Sequence, residues 1–526
     1  MAAGPLSTRV AALCAEVAPR LSPSTRAAVL DLRQRLGEPL RVAIAGRLKA
    51  GKSTLVNALI GRRVAPTQVG ECTRLVTQFR YGTSDRVDVV RRDGNRVSLP
   101  LDSNGMLPQK IGVPRNEVSY IDVTLSIERL RDLTVVDTPG LSSTNEQISA
   151  GSKDFLLGND GSAEESQGLL SDDIDADSAG ALTGAEAIVY VFTQSVRQDD
   201  VEALEAFRTM SARLSSNPIN SLGLFNKVDK LVAMGDPWPT AGPLASSQAE
   251  VLRRQVSDVV PLVGLLAETT ESGRLTAADC EALRQIAGMS TVEKQVLTAS
   301  VDLFVSRDCP VSKEERERLL VLLDIYGVRF SLAALEAEPD LPTNELSRRL
   351  FLASGFPRVR QVLERAFRWR SDAIKAGWAL TGLEQIASRT EQLRDRELLR
   401  DTVERLLAEP EYHQLRLLDV AQQVTTGAVE LPQQMEDELT RLALSDDPAS
   451  ILALPAGAPP AELEKAALEA ATRWRRFAVA GATPSQARVA HVAHRGFHIL
   501  SQRVRHRPGP PTGPNPAHRP RVTGGY

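Results

Sequence analysis

The run from Gly46 to Thr54, Gly-Arg-Leu-Lys-Ala-Gly-Lys-Ser-Thr, fits the phosphate-binding pattern G-x-x-x-x-G-K-[ST]. In such a loop the backbone N–H groups surround phosphate oxygens, the lysine neutralises the terminal phosphates and the hydroxyl binds Mg²⁺. The residues expected to bind nucleotide here are Gly46, Lys49, Ala50, Gly51, Lys52, Ser53 and Thr54. A glycine-rich turn without function is the alternative. The pattern favours a nucleoside triphosphate held with Mg²⁺.

The segments on either side of this loop strengthen that interpretation. Val42 to Ala45 is a short apolar run that suits a buried parallel strand, and Thr54 to Ile60 continues with helical periodicity. The bare pattern occurs by chance in many proteins, but much less often between a strand and a helix.

A second motif follows another strand-like run, Leu133-Thr-Val-Val-Asp-Thr-Pro-Gly. A strand that ends in D-x-x-G would bring the Asp137 carboxylate to the metal through a water molecule. The N–H of Gly140 would then meet the γ-phosphate. Mg²⁺ is therefore the expected cofactor, with Ser53 and Asp137 among its ligands.

A third motif specifies the base. Ser221 to Asp229 reads as a strand ending in N-K-x-D, with Asn226, Lys227 and Asp229 as its defined positions. A fixed carboxylate at Asp229 accepts hydrogen bonds from guanine N1–H and the 2-amino group, whereas adenine offers no such pair of donors. Lys227 is expected to pack over the loop and the base. The three motifs in this order predict a GTPase with GTP as its substrate.

A threonine between the first two motifs should close over the metal. Thr67, Thr73 and Thr77 are the candidates, and Thr73 is preferred because Gly70 precedes it and a strand follows. The predicted catalytic residues are Lys49, Lys52, Thr73 and Gly140, and the predicted metal ligands are Ser53, Thr73 and Asp137. Gly264, after the last predicted strand, is the expected contact near the sugar and base edge.

Periodicity predicts an α/β P-loop GTPase domain followed by an all-α helical bundle. Strand-like runs alternate with helical stretches to about residue 308, and Asp93-Gly-Asn95 between two alternating runs predicts an added hairpin in a mostly parallel sheet. The predicted parts are N-terminal helices at 1–36, a GTPase domain at 37–308 with a mobile acidic insertion at 146–181, a helical bundle at 309–505 and a disordered tail at 506–526.

Composition excludes several classes. The 526 residues are 42% hydrophobic and 25% charged, as in soluble globular proteins, and the net charge of −3 gives no general attraction to nucleic acid. Four scattered cysteines without C-x-x-C favour a reducing compartment over a disulfide framework. Neither a signal peptide nor an apolar run long enough to span a membrane is visible. We expect a cytoplasmic protein that meets a membrane only peripherally.

The motifs together resemble the bacterial dynamin-like GTPases. Val64-Ala-Pro-Thr67 and Gly70-Glu-Cys-Thr73 add to the resemblance, which is strong from about residue 40 to residue 229. It is closest to the isoniazid-inducible type of actinobacteria, and to the shorter member of that pair. The resemblance implies a GTPase domain on a helical neck, homodimerisation through that domain, and remodelling of the cytoplasmic membrane face.

Two residues depart from related enzymes. Many dynamins have a serine where this chain has Lys49, and that serine helps to bind a charge-compensating monovalent cation. Leu141 follows the D-T-P-G motif, where small Ras-like enzymes have a water-orienting glutamine. GTP hydrolysis must then be completed in another way. One route is that dimerisation orders the loop that carries the metal-binding threonine.

Two segments of the helical half are candidates for lipid contact, because the family binds membrane at the bundle end remote from the GTPase domain. One is the apolar loop Ser450 to Gly457, and the other is Arg473-Trp-Arg-Arg-Phe477, which mixes cations with aromatic rings. The alternatives are a packed loop and a helix whose tryptophan lies in the core.

Two other functions remain open. A GTP-binding regulatory partner of a longer dynamin-like paralogue would suit the departure at Lys49 and the lack of an obvious lipid-inserting hairpin. An RNA-associated G protein is disfavoured by the slightly acidic charge.

Lys49 supplies the first testable prediction. Its ammonium could replace the monovalent cation at the β–γ bridging oxygen, where positive charge speeds hydrolysis by orders of magnitude. We expect Lys49→Ala to slow GTP turnover, as measured by phosphate release. Equal turnover of both proteins in sodium, potassium and cation-free buffer would identify Lys49 as a solvated loop lysine.

Overall fold

The structure of the protein is a computed structural model, which describes most of the chain. Its described residues are 4–47, 49–67, 75–108, 110–138, 185–194, 196, 201, 204, 221–253, 255–364, 371–409, 412–425 and 427–505. The predictions for Thr73, Gly140, the acidic insertion and the C-terminal tail lie outside these residues.

Within the described residues, nine strands form one sheet in the order β4-β3-β5-β2-β6-β1-β7-β8-β9. The strands are β1 Leu40–Gly46, β2 Thr77–Tyr81, β3 Arg86–Arg91, β4 Arg96–Leu99, β5 Val118–Leu125, β6 Leu133–Asp137, β7 Ala187–Thr193, β8 Ser221–Asn226 and β9 Val259–Leu262. The five strands from β6 to β9 in this order are parallel, and β1 pairs with both β6 and β7. Their carboxyl ends therefore lie at one edge of the sheet, where ligands of such sheets bind.

The remaining strands join the sheet through three antiparallel pairs, β2–β6, β3–β4 and β3–β5, whereas β2 and β5 run parallel to each other. β3 and β4 pair as a hairpin around Gly94, whose φ of +84° suits glycine, and Asp93 Oδ1 accepts a hydrogen bond of 2.9 Å from the Asn95 N–H. β2 runs antiparallel to β6, and its first residue, Thr77, lies opposite Asp137. The predicted mostly parallel sheet with a hairpin is confirmed.

Helices of the same compact unit as the sheet pack on both of its faces, and the described residues after 263 are mostly helical. The helices are α1 Pro5–Val17, α2 Pro23–Leu36, α3 Lys52–Ile60, α4 Trp238–Val251, α5 Gly264–Glu271, α6 Ala277–Ala287, α7 Thr291–Leu297, α8 Val301–Ser306, α9 Lys313–Ala337, α10 Thr343–Ala353, α11 Phe356–Leu363, α12 Ser371–Arg389, α13 Leu393–Ala408, α14 His413–Thr425, α15 Gln433–Leu444, α16 Pro448–Ile451, α17 Pro460–Val479 and α18 Pro484–Arg505. Among these helices, none is long and apolar enough to cross a membrane.

Alternating residues of β1 build two separate cores. Val42 and Ile44 pack on one face with Leu55 of α3, whereas Ala43 and Ala45 pack on the other face. A parallel strand covered on both faces must be apolar throughout, which is why the short run before the phosphate loop reads as a strand.

The N-terminal helices are fastened by carboxylates from the second half of the chain. Asp372 of α12 accepts hydrogen bonds of 2.9 Å from the backbone N–H groups of Leu6 and Ser7 at the start of α1. Asp395 of α13 accepts one of 3.0 Å from the N–H of Ser22, the residue before α2. Each carboxylate satisfies donors that a helix leaves unpaired and interacts favourably with the helix dipole.

The chain divides into two compact units, Met1–Leu406 and Leu407–Tyr526. Residues 309–406 therefore belong to the same unit as the sheet, and the predicted boundary at 308/309 does not separate the two units. The division into four functional parts remains a prediction.

Within the second unit, each candidate lipid segment has one large side chain buried in the core, whereas Leu452, Leu454 and Phe477 are half-buried. Trp474 is fully buried, and its Nε1 donates to Glu438 Oε2 at 3.1 Å. Ile451 is also buried, at 3% exposure. The alternatives of a packed loop and a core tryptophan therefore describe these two side chains.

Candidate nucleotide-binding site

Two glycines of the phosphate loop lie where no side chain fits. Gly46 ends β1 with a φ of +142°, and a Cβ there would come within 2.1 Å of the carbonyl oxygen of Val191 in β7. Gly51 caps α3 with a φ of +96°, and its Cβ would lie 2.3 Å from Asn226 Nδ2. The two glycines of the sequence pattern are thus required by close contacts with β7 and with the end of β8.

Lys52 lies across the loop rather than in solvent. Its ammonium donates hydrogen bonds of 3.0 Å to the carbonyl oxygens of Gly46 and Arg47, and the residue is only 9% exposed. Burial lowers the pKa of Lys52, and the nearby Asp137 carboxylate partly opposes that shift. A buried cation next to backbone N–H groups at a helix N-terminus is suited to polyphosphate.

Ser53 and Asp137 form the oxygen-rich side of the site. The Ser53 hydroxyl donates to Asp137 Oδ2 at 2.9 Å, which joins the start of α3 to the end of β6. Burial raises the pKa of Asp137 to about 6, against the opposing effects of Lys52 and Ser53. Asp137 Oδ1 is buried without a hydrogen-bond partner among the described residues. A hydroxyl and a carboxylate with a spare oxygen fit Mg²⁺, which prefers oxygen ligands and retains water.

Asn226 holds three segments together. Its Nδ2 donates to the carbonyl oxygen of Ala50 at 2.8 Å, and its Oδ1 accepts from the Gly264 N–H at 2.9 Å. The end of β8 therefore touches both the phosphate loop and the start of α5. Gly264, named from the sequence as a contact near the base, is one of these partners.

Lys227 and Asp229 extend from the same strand end. Lys227 has a left-handed φ of +59°, and its ammonium donates to the carbonyl oxygen of Lys49 at 2.9 Å. Asp229 is 9% exposed, and burial raises the pKa of its carboxyl group. The structure thus brings the phosphate loop, Asp137 and the N-K-V-D segment to one edge of the sheet.

Lys49 is an exposed residue with unusual backbone geometry. Its φ of +63° lies in the left-handed region that non-glycine residues seldom adopt. Its carbonyl holds Lys227, so the conformation is supported by a contact with the N-K-V-D segment. The role of its ammonium in hydrolysis remains a prediction.

The threonine candidates are separated by their surroundings. Thr77 is 3% exposed inside β2, so it could not close over a metal without leaving the sheet. Thr67 is exposed, and its Oγ1 accepts from Arg63 Nη2 at 3.4 Å. Thr73, the preferred residue, lies outside the part of the chain that the structure describes.

One buried residue near the site is absent from the sequence-based predictions. Asn57 of α3 is fully buried, with its Oδ1 accepting from the N–H groups of Val64 and Ala65. Its Nδ2 donates to Ala65 O at 3.0 Å and to Glu268 Oε1 at 2.8 Å. Asn57 therefore fixes the chain just before Thr67 and links α3 to α5. The only indication of this role in the sequence is that Asn57 is a polar residue inside the otherwise apolar run Leu55 to Leu59.

We expect Asn57→Ala to lower the free energy of unfolding by at least about 2 kcal/mol, because buried polar groups of Val64, Ala65 and Glu268 lose their partner. Urea unfolding followed by tryptophan fluorescence measures this change. Asn344→Ala, at an exposed helical position, is the matched control and should change stability by less than about 0.5 kcal/mol. Equal effects of the two substitutions would contradict this account of Asn57.

Comparison with known proteins agrees with the geometry. The sequence model described as the Dynamin family matches residues 42–227. The chain is 32% identical over 457 residues to the Isoniazid-induced protein IniC of Mycobacterium tuberculosis (strain ATCC 25618 / H37Rv), covering 84% of this chain and 86% of that protein. The Bacterial dynamin-like protein of Nostoc punctiforme (strain ATCC 29133 / PCC 73102) is 30% identical over 117 residues, covering 20% of this chain and 17% of that protein.

One solved structure aligns along most of the chain. It is described as "An oligomerised bacterial dynamin pair provides a mechanism for the long range sensing and tethering of membranes" and is 12% identical over 94% of this chain and 90% of that chain. The TM-score of this alignment is 0.32.

Proposed function

Because this chain belongs to the dynamin family of GTP-hydrolysing enzymes, we propose that it uses GTP binding and hydrolysis to control its self-association at the cytoplasmic face of a membrane. The observation that carries the proposal is the meeting of three segments at one sheet edge. Asn226 donates to Ala50 of the phosphate loop, and Ser53 of the same loop donates to Asp137. A triphosphate and a guanine base would each find the groups they require there.

The proposed nucleotide contacts follow from this arrangement. The phosphate chain lies along the loop and is neutralised by Lys52, and the base is recognised by Asp229 with Lys227 against it. The proposed nucleotide-binding set is Gly46, Lys49, Ala50, Gly51, Lys52, Ser53, Thr54, Asp137, Asn226, Lys227 and Asp229. Self-association through the GTPase domain would complete a site that lacks a water-orienting glutamine at Leu141.

Mg²⁺ is the proposed cofactor, held by Ser53, by Asp137 through water and by Thr73. When bound, it would neutralise negative charge between the β- and γ-phosphates. The spare buried oxygen of Asp137 supports this assignment, because a buried carboxylate oxygen without a partner is costly unless a ligand satisfies it.

The raised pKa of Asp137 predicts a pH dependence. At a pKa of about 6 the carboxyl group holds a proton in most molecules at pH 5, and that proton must leave before Mg²⁺ is bound. We expect Mg²⁺-dependent GTP affinity to be constant above pH 7 and to fall about tenfold between pH 7 and pH 5. Fluorescence titration with labelled GTP measures it.

Asp137→Asn is the control for this pH profile, because titration of the nucleotide itself contributes equally to both proteins. The variant should bind GTP weakly in the presence of Mg²⁺. Its GTP affinity should also lack the part of the fall between pH 7 and pH 5 that comes from protonation of Asp137. A wild-type profile that parallels the variant's would show that Asp137 does not titrate in this range.

The tip of the helical hairpin formed by α17 and α18 is the proposed lipid contact. The connection from Val479 to Ala482 contains only Val, Ala and Gly, and Val479 is 78% exposed. Exposed Arg475, Arg476 and Arg488 flank it. An apolar tip with a basic collar suits the boundary of an anionic bilayer, where each cation adds about 1 kcal/mol.

Co-sedimentation with vesicles of phosphatidylglycerol and phosphatidylethanolamine tests this contact. We expect binding that requires the anionic lipid, and we expect Val479→Asp to weaken it at least about fivefold by bringing charge to the apolar boundary. The matched control is Val321→Asp, a 58% exposed valine of α9 in the other unit, which should leave binding unchanged. No binding with or without GTP, while turnover is intact, would favour the regulatory partner of a longer paralogue.

A further inference from the structure

The long helix α9 contains one residue that is not helical. Asp324 has a φ of +51° and a ψ of 178°, and it separates two helical segments that otherwise run from Lys313 to Ala337. This combination of angles is almost confined to glycine, and an aspartate there carries backbone strain. Such strain persists only where the surrounding contacts impose it, and it is concentrated at functional sites.

Two contacts at this kink tie it to segments next to the proposed base-binding motif. Asp324 Oδ2 accepts a hydrogen bond of 2.7 Å from the ammonium of Lys230. The carbonyl oxygen of Leu322 accepts one of 2.6 Å from Thr269 Oγ1 in α5, the helix that begins at Gly264.

The chain that follows Lys230 is held by the same helix. Arg329, one and a half turns after the kink, donates from Nη1 to the carbonyl oxygen of Ala233 at 2.7 Å. The segment from Lys230 to Ala233 is thus attached to α9 at both of its ends. Asp324 is consequently part of the support of the N-K-V-D motif.

Lys230 lies between the carboxylates of Asp229, which is proposed to bind the base, and Asp324, which lies at the kink. Its ammonium is 2.7 Å from Asp324 Oδ2 and 3.8 Å from Asp229 Oδ2. The Asp229 side chain is 6% exposed, whereas those of Asp324 and Lys230 are 30% and 51% exposed. If the ammonium moved to Asp229, it would compete with a guanine donor for one of the Asp229 oxygens and reduce the negative charge that attracts that donor.

We propose that Asp324 is a specificity-determining positioning residue, which keeps the Lys230 ammonium beyond hydrogen-bonding distance of Asp229 so that both Asp229 oxygens stay available to the two guanine donors. This inference rests on the proposed assignment of Asp229 to the base. The backbone kink at Asp324 directs its carboxylate toward Lys230. The hydrogen bonds of Leu322 and Arg329 hold the kink in place.

GTP and ITP distinguish this role from general support of the fold. Hypoxanthine retains the N1–H donor but lacks the 2-amino group, so ITP needs one Asp229 oxygen where GTP needs two. Loss of Asp324 should therefore weaken the binding of GTP more than that of ITP, because the freed Lys230 ammonium competes for only one of the two Asp229 oxygens. Damage to the fold or to the phosphate loop would weaken both nucleotides equally.

The experiment measures competition by GTP and by ITP against labelled GDP in the full chain. Asp324→Gly removes the carboxylate and also relieves the backbone strain, and it should weaken GTP by about two- to fivefold, the range set by a half-exposed ion pair. ITP should change less, so the preference for GTP over ITP falls. Asp324→Asn, which removes the charge at nearly constant shape, should lower the same preference and replaces the glycine variant if that one does not fold.

Lys230→Ala supplies the decisive background. Alone it should change the preference for GTP little, and in combination with Asp324→Gly it should restore that preference, since the competing ammonium is gone. Glu317→Gln is the matched control, because it removes the exposed Lys313–Glu317 pair of the same helix and should have no effect. An unchanged preference in Asp324→Gly, or a loss that persists in the double variant, would overturn the proposal.

Asp229→Ala separates failure of this inference from failure of the function on which it rests. It should abolish the preference for GTP over ITP whatever the role of Asp324. If Asp229→Ala keeps that preference, the assignment of Asp229 to the base is wrong, and the role proposed for Asp324 is overturned with it. If only the Asp324 variants keep it, the base assignment stands and Asp324 has no such role.

Discussion

The site depends on one amide side chain, that of Asn226. Its two polar atoms reach the carbonyl of Ala50 in the phosphate loop and the N–H of Gly264 at the start of α5, so one residue sets the distance between the two halves of the site. The close approach explains Gly51, where any Cβ would collide with the amide. Because each partner is a backbone group, the constraint acts on the course of the chain and leaves the neighbouring side chains free for ligand.

Buried charge gives the site its second property. Lys52 and Asp137 both lie in surroundings that disfavour their charged forms, with the pKa of the ammonium lowered and that of the carboxyl group raised. A ligand that brings phosphate to the lysine and a cation to the carboxylate replaces water lost on burial. The protein therefore gains most from binding both together, which agrees with a nucleotide bound as its metal complex.

The sequence predicts those parts of the site that are local. β1, β6 and β8 are short apolar runs that end directly in their motifs, so residues at the strand ends could be placed without tertiary information. The roles of Asn57 and Asp324 cannot be predicted from the sequence, because their partners lie far along the chain. Asn57 donates to Glu268, and Asp324 accepts from Lys230. The predicted boundary near residue 308 rests on a change in periodicity, which carries no information on which later helices share a compact unit with the sheet.

The carboxylates of Asp372 and Asp395 have a consequence for biosynthesis. The starts of α1 and α2 are completed by residues that are translated more than 360 positions later. At about 5–20 residues per second, roughly 20–70 s pass between the appearance of these helices and that of their caps. The last strand of the sheet ends at Leu262, so every strand is synthesised within that interval. Until residues 372 and 395 have been synthesised, the starts of these two helices therefore lack the carboxylates that complete them.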